Sequence, residues 1–141
     1  SEGAILQKDF ELRIRNIQQL LTQVEALDTE RLAAIRSRME RAVEEIRDRV
    51  DENRFEQELI FYLEKLDITE EKVRLGNHLN YFLTTLEEPQ SNGRKLGFIA
   101  QEIGREINTL GSKANHAQMQ QIVVLMKNEL EKIKEQVLNI L

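Results

Sequence analysis

The sequence has no cysteine, which removes disulfides, thiolate metal sites and cysteine nucleophiles at once. That absence fits a reducing compartment. Only two histidines are present, His78 and His116, too few for a His-rich metal site or for paired-imidazole ribonuclease chemistry within one chain. One proline and six glycines leave few places where a helix must break. Tryptophan is missing and aromatics are scarce, so the apolar content is mostly aliphatic. No window approaches the roughly 18 consecutive apolar residues that a membrane span needs. The N-terminus, S-E-G-A-I-L-Q-K-D-F, lacks the basic n-region and apolar core of a signal peptide. It also lacks an initiator methionine, which fits an excised fragment. A net charge of −5 argues against indiscriminate electrostatic binding to nucleic acid, yet leaves room for a local basic groove.

What is present is helical. The 141 residues suffice for one domain with a real core, and the 32% of charged residues imply a heavily solvated surface. From Ala4 to Leu27, Leu6, Phe10, Ile14, Ile17, Leu21 and Val24 recur at steps of three and four, one stripe of an amphipathic helix. Asp28-Thr29 predicts a stop and a new N-cap. A second helix is expected to about Arg49, with Leu32, Ile35, Met39, Val43 and Ile46 inward. Its arginines, Arg31, Arg36, Arg38, Arg41 and Arg47, alternate with acids and read as a solvated face. The short connection predicts an antiparallel hairpin for residues 1–50. So narrow a stripe needs more than two helices to cover it, from the rest of the chain or from a second copy.

Asp51 is the expected cap of a third helix, Glu52–Leu66, burying Phe55, Leu59, Tyr62 and Leu66. No glycine or proline enforces a break there, so a continuous helix from Thr29 to Leu66 is the alternative. Asp67-Ile68-Thr69 restarts the chain, with Glu70 and Glu71 favoured by the helix dipole. The fourth helix carries Leu75, Leu79, Phe82 and Leu86 and ends in the loop-like Glu87–Gly93. A fifth, about Arg94–Leu110, buries Leu96, Ile99, Ile103, Ile107 and Leu110, with Gly111 the expected C′ residue. Asn115 and Gln118 suggest a capping box for the sixth. There Met119, Val123, Met126, Leu130, Ile133, Val137 and Ile140 form a heptad seam that demands a helical partner. The expected fold class is all-α, with about six helices, an N-terminal hairpin and a C-terminal helical bundle (51–141), and it is expected to be oligomeric.

Chemistry concentrates in Gly93–Lys113, where one helix carries Gln101, Glu102, Arg105, Glu106, Asn108 and Thr109. Glu102 and Glu106 are one turn apart, and two like charges at that spacing want something positive between them. Arg105 would serve, and so would a magnesium or manganese ion able to activate water against a phosphodiester. As an E-x-x-x-E pair alone, this equally describes a solvated or salt-bridged face. Glu52 and Glu56 share a face in a second polar helix start, beside an Arg54–Glu58 pair at i,i+4. His78, one turn from Arg74, suits a general acid, a phosphate contact or a hydrogen-bonded structural role. Arg94, Lys95, Arg105 and Lys113 suit phosphate contacts, though basic residues are common at helix ends.

Longer motifs narrow this. G-R-K-L at 93–96, Q-E-x-x-R-E-x-N-T-x-G-S-K at 101–113 and E-K-I-x-E-Q-V-x-N-I at 131–140 resemble the C-terminal region of the YicC/YloC family of bacterial proteins. Asp51-Glu52 with Arg54, Glu56-Gln57-Glu58, D-I-T-E-E at 67–71 and His78 in H-L-x-x-F match the same family. A weaker match over 2–27 rests on E-G, Leu6, Asp9 and Arg13. The resemblance implies a metal-dependent endoribonuclease of the bacterial cytoplasm, with RNA as substrate and neither DNA nor a membrane as partner. It also implies a homo-oligomer, a hexamer for the family and a dimer for a fragment. A separate N-terminal domain precedes this region in the family, so the chain looks like a C-terminal fragment whose own activity can be lost. Gly97 and Gly104 depart from the family, which often has aspartate and asparagine there. The expected roles are Glu102, Glu106 and His78 in catalysis, and a manganese or magnesium ion on Glu102, Glu106 and Glu56. Arg94, Lys95, Arg105, Lys113 and Arg74 would hold phosphates. The competing expectation is a non-catalytic helical oligomerisation or scaffold module.

Overall fold

A computed structural model describes residues 2–89 and 93–140. Five α-helices and one 3-10 turn are found among them: α1 Glu2–Glu44, the turn Arg47–Arg49, α2 Glu52–Leu66, α3 Thr69–Leu86, α4 Gly93–Lys113 and α5 Ala117–Ile140. The loop expected over Glu87–Gly93 falls partly on residues 90–92, outside the described residues. Among the described residues no helix is long and apolar enough to cross a membrane.

The first two expected helices are one. Residues 2–44 form a single 43-residue helix, about 64 Å long at 1.5 Å per residue. Asp28 does not cap a new helix. Its carboxylate accepts from Arg31 Nε (3.0 Å) and Nη2 (2.8 Å) and from Lys72 Nζ (3.0 Å). With that side chain occupied, and no glycine or proline nearby, the backbone ladder runs on through Thr29. The hairpin expected for residues 1–50 is therefore replaced by one continuous helix over Glu2–Glu44, which also reduces the expected helix count.

The two halves of the rod have different surroundings. Phe10, Ile14, Ile17, Leu21 and Val24 are buried as their spacing predicts, against α3 on one side and α5 on the other. α4 closes the ring by packing on both α3 and α5. Phe10 meets Phe82 of α3 edge-to-face, with ring centroids 5.5 Å apart, an arrangement the ring quadrupole favours. Beyond Arg31 the rod leaves this four-helix bundle and is accompanied by α2 alone, forming a two-helix arm. Ile35 and Leu59 are the arm's buried apolar residues. Tyr62, expected inside, is 43% exposed, because two helices cannot cover a full stripe. The contacts place residues 2–28 and 67–140 in the bundle and residues from about 29 to 66 in the arm.

The break before α2 is real. The Asp51 side chain accepts from the N–H groups of Asn53 (3.0 Å) and Arg54 (3.3 Å), satisfying two orphan donors. At the start of α3 the N-cap position is Ile68, which offers no side-chain acceptor, and the Asp67 side chain before it takes the Thr69 N–H at 2.7 Å. Bonds from the Thr69 hydroxyl and backbone hold its carboxyl below the usual carboxylate range. A folded value below the unfolded one stabilises above about pH 4 and is lost as pH falls through the folded value. Asp67→Asn should therefore make the acid limb of the stability curve shallower, measured by urea midpoints from neutral pH downward. An unchanged limb would dismiss the linkage.

α4 and α5 meet along glycines. A β-carbon added at Gly97 would stand 3.4 Å from Val137 Cγ1, at Gly104 3.1 Å from Leu130 Cδ2, and at Gly111 3.2 Å from Val123 Cγ1. Three glycines at seven-residue spacing oppose three branched residues at the same spacing, so the two helices approach closely. Gly111 is accordingly not a C′ residue; α4 runs on to Lys113, and no residue described has positive φ. The Gln120 side chain donates to the carbonyls of Gly111 (2.7 Å) and Ala114 (2.6 Å), closing the end of α4. His116, rather than Asn115 with Gln118, caps α5: its Nδ1 accepts the Met119 N–H at 3.3 Å. The heptad seam of α5 is buried from Met119 to Val137, with Ile140 packed partly against the core.

Candidate functional site

α3 and α4 run antiparallel with their polar shoulders facing each other, and one register orders the pairs along the seam. At one end Lys113 Nζ reaches Glu71 (2.9 Å) and the Asp67 carbonyl (3.2 Å). Next, Arg74 Nε contacts both oxygens of Glu106, at 3.0 and 3.1 Å, and its other nitrogens approach Glu70 and Glu71. At the far end Lys95 Nζ bonds Glu88 (2.8 Å) and lies 5.0 Å from the centroid of the Tyr81 ring. The Glu88 and Tyr81 side chains hold the Lys95 ammonium above its usual range. The bond to Glu106 does the same for the Arg74 guanidinium.

Between Arg74–Glu106 and Tyr81–Lys95 this register sets His78 level with Glu102. His78 is half-buried. Glu102 is 23% exposed, and its contact is a long one, 3.7 Å to Arg105, which is itself open to water. No hydrogen bond joins His78 to Glu102 among the described residues. Every other step of the seam is closed by a short charged contact or a cation–π pair; this one is not.

The other candidates separate. Glu106 is 5% exposed and both its oxygens are engaged by Arg74, so its carboxylate supports the seam from within. Glu56 lies on the arm, 3.4 Å from Arg36. Among the described residues no three His, Cys, Asp or Glu side chains stand where they could hold a metal together. An oxygen-bound magnesium or calcium ion takes about six or more ligands. For magnesium several of these are waters, with one or two carboxylates from the protein, and of Glu102, Glu106 and Glu56 it is Glu102 that has the longest charged contact, 3.7 Å. Arg74, Lys95 and Lys113 spend their charge on Glu106, Glu88 and Glu71, whereas Arg94 and Arg105 project outward from α4.

The sequence reading missed the polar hub behind this seam. Arg31, assigned to a solvated face, is 2% exposed. Besides Asp28 it donates to the carbonyls of Leu66 (2.7 Å) and Lys113 (3.3 Å), tying α1 to the ends of α2 and α4. Its i,i+3 spacing from Asp28 was legible; its burial follows from α1 being unbroken.

The model of the C-terminal part of the endoribonuclease YicC-like family matches residues 24–141, which hold every residue of the seam. The chain belongs to this family. A protein named probable endoribonuclease YicC from Clostridioides difficile (strain 630) is 36% identical over 142 residues, covering 99% of this chain and 48% of that protein. One of the same name from Haemophilus influenzae (strain ATCC 51907 / DSM 11121 / KW20 / Rd) is 33% identical over 132 residues, covering 88% and 46%. The chain thus spans about half the length of the curated YicC relatives it matches.

Proposed function

We propose that this chain is the helical region of an endoribonuclease that hydrolyses RNA phosphodiester bonds, with its chemistry at the Glu102–His78 step of the α3–α4 seam. The observation that carries the reading is the openness of that step within an otherwise closed row of pairs, in a chain of YicC-like kinship. Glu102 takes the proton of the attacking water as the new P–O bond forms. His78 gives a proton to the leaving ribose oxygen as the old bond breaks. Arg105 and Arg94 hold the phosphate oxygens. Glu106 and Arg74 are positioning residues that fix α3 against α4. A manganese or magnesium ion would be held by Glu102, with waters and further donors filling its remaining positions; no step above is routed through it.

The test separates Glu102 from Glu106 in the full-length protein assayed on RNA with manganese present. Glu102→Gln is expected to lower cleavage about a hundredfold with the folding midpoint kept, the scale of a lost acid–base group. Glu106→Gln should lower the urea midpoint, since Arg74 loses its charged partner. Undiminished cleavage by Glu102→Gln would remove the site. It would leave the competing reading, a non-catalytic scaffold held together by ion pairs, which the closed contacts of Glu106, Glu71 and Glu88 favour.

A further inference from the structure

A groove of about 490 Å³ runs beside the α4–α5 seam, on the face turned away from α3. It exists because Gly97 puts no side chain there, leaving Val137 as floor. Its walls are Phe98 and Leu138, 63% and 70% exposed, and its polar rim is Arg94, Gln101 and Lys134. The Lys134 ammonium passes beside Gly104, its Nζ 3.8 Å from where a β-carbon would stand. Among the described residues that ammonium has only a long charged contact, 3.8 Å, to Glu131. Arg94 forms no ion pair among the described residues. Arg105, one turn beyond Gln101, and Lys127, two turns before Lys134, extend the same outward faces and are exposed. Four cations against Glu131 and Glu102, the latter 3.7 Å from Arg105, leave this face with an excess of positive charge on a chain of net charge −5.

We propose that this groove binds a single-stranded stretch of RNA, Phe98 stacking on a base while Arg94 and Lys134 pair with flanking phosphates. The inference rests on the RNA-cleaving reading above and adds to it the path of the strand. Stacking needs an unpaired base, since an aromatic side chain cannot reach the faces of bases inside a duplex. Lysine is depleted in protein–protein interfaces, whereas arginine and phenylalanine are enriched there, so it is Lys127 and Lys134 beside this small apolar floor that favour a polyanion over a protein surface. Arg105 stands on α4 between this groove and Glu102, linking the strand's path to the seam.

The experiment is fluorescence anisotropy of a labelled single-stranded oligouridylate with the full-length protein across a salt series. Arg94→Ala with Lys134→Ala should weaken binding and reduce the slope of log K against log salt by about 1.4, at ~0.7 per single-strand phosphate contact. Phe98→Leu should weaken binding about tenfold, the order of one lost base stack, while Phe98→Trp retains it. Wild-type affinity in all these variants, with wild-type protein still binding RNA, overturns the groove and leaves the RNA reading standing. A changed sedimentation coefficient in Phe98→Leu with RNA affinity kept also overturns it and assigns the face to a protein contact. If the unsubstituted protein neither binds nor cleaves RNA, the proposed function falls first and the groove with it.

Discussion

Arg31→Ala is expected to destabilise the chain by about 3–5 kcal/mol, the range for removing one partner of a buried ion pair. The guanidinium is 2% exposed and serves three groups at once: the Asp28 carboxylate, the Leu66 carbonyl and the Lys113 carbonyl. Its removal leaves a buried carboxylate with Lys72 alone, and two carbonyls with one donor fewer. Urea denaturation read by helical circular dichroism measures the loss. Arg31→Lys should recover less than half, because an ammonium lacks the planar fork that spans these acceptors. The comparison is Arg36→Ala: Arg36 is 46% exposed and paired with Glu40 and Glu56, and exposed pairs contribute about 0–1 kcal/mol. Equal effects at the two positions would show that the hub does not fasten the arm to the bundle.

Gly104→Leu is expected to cost about 3 kcal/mol, the upper end for forcing extra carbons into a packed contact. A single β-carbon there already comes to 3.1 Å from Leu130 Cδ2. Gly104→Ala should be nearly neutral, since roughly 1 kcal/mol of helix propensity is gained while the Leu130 methyl must yield a few tenths of an ångström. The decisive variant combines Gly104→Leu with Leu130→Ala. If the two residues compete for one space, the double variant is more stable than the sum of the singles implies, a coupling that a thermodynamic cycle isolates. A neutral Gly104→Leu would mean that α4 and α5 do not approach as described.

The apolar stripes were readable because their period is that of the helix itself. Phe10 to Val24, Leu96 to Leu110 and Met119 to Val137 are buried as spaced. The cap at Asp51 was readable for an equally local reason, a short carboxylate beside orphan N–H groups. The glycine row was also present in the sequence, at 97, 104 and 111. Its meaning depended on Val137, Leu130 and Val123 standing opposite, which spacing along one helix does not disclose. The same holds for the site residues. Glu102 and Glu106 look equivalent along α4, and what distinguishes them is Arg74 on another helix.

By itself the sequence determined that this protein is helical, which faces of its helices are apolar, where the Asp51 cap lies, and which family its motifs resemble. Those are properties of neighbours along the chain. The tertiary structure alone decided that residues 2–44 are one rod, because Asp28 finds Lys72 forty-four residues away and has no oxygen to spare for a cap. It decided that the end of α1 pairs with α2 as an arm, and that Glu106 is closed by Arg74 while Glu102 is left open. It also placed Arg94 and Phe98 beside Lys134. Charge, burial and access at a side chain are set by what folds against it, and that is long-range information.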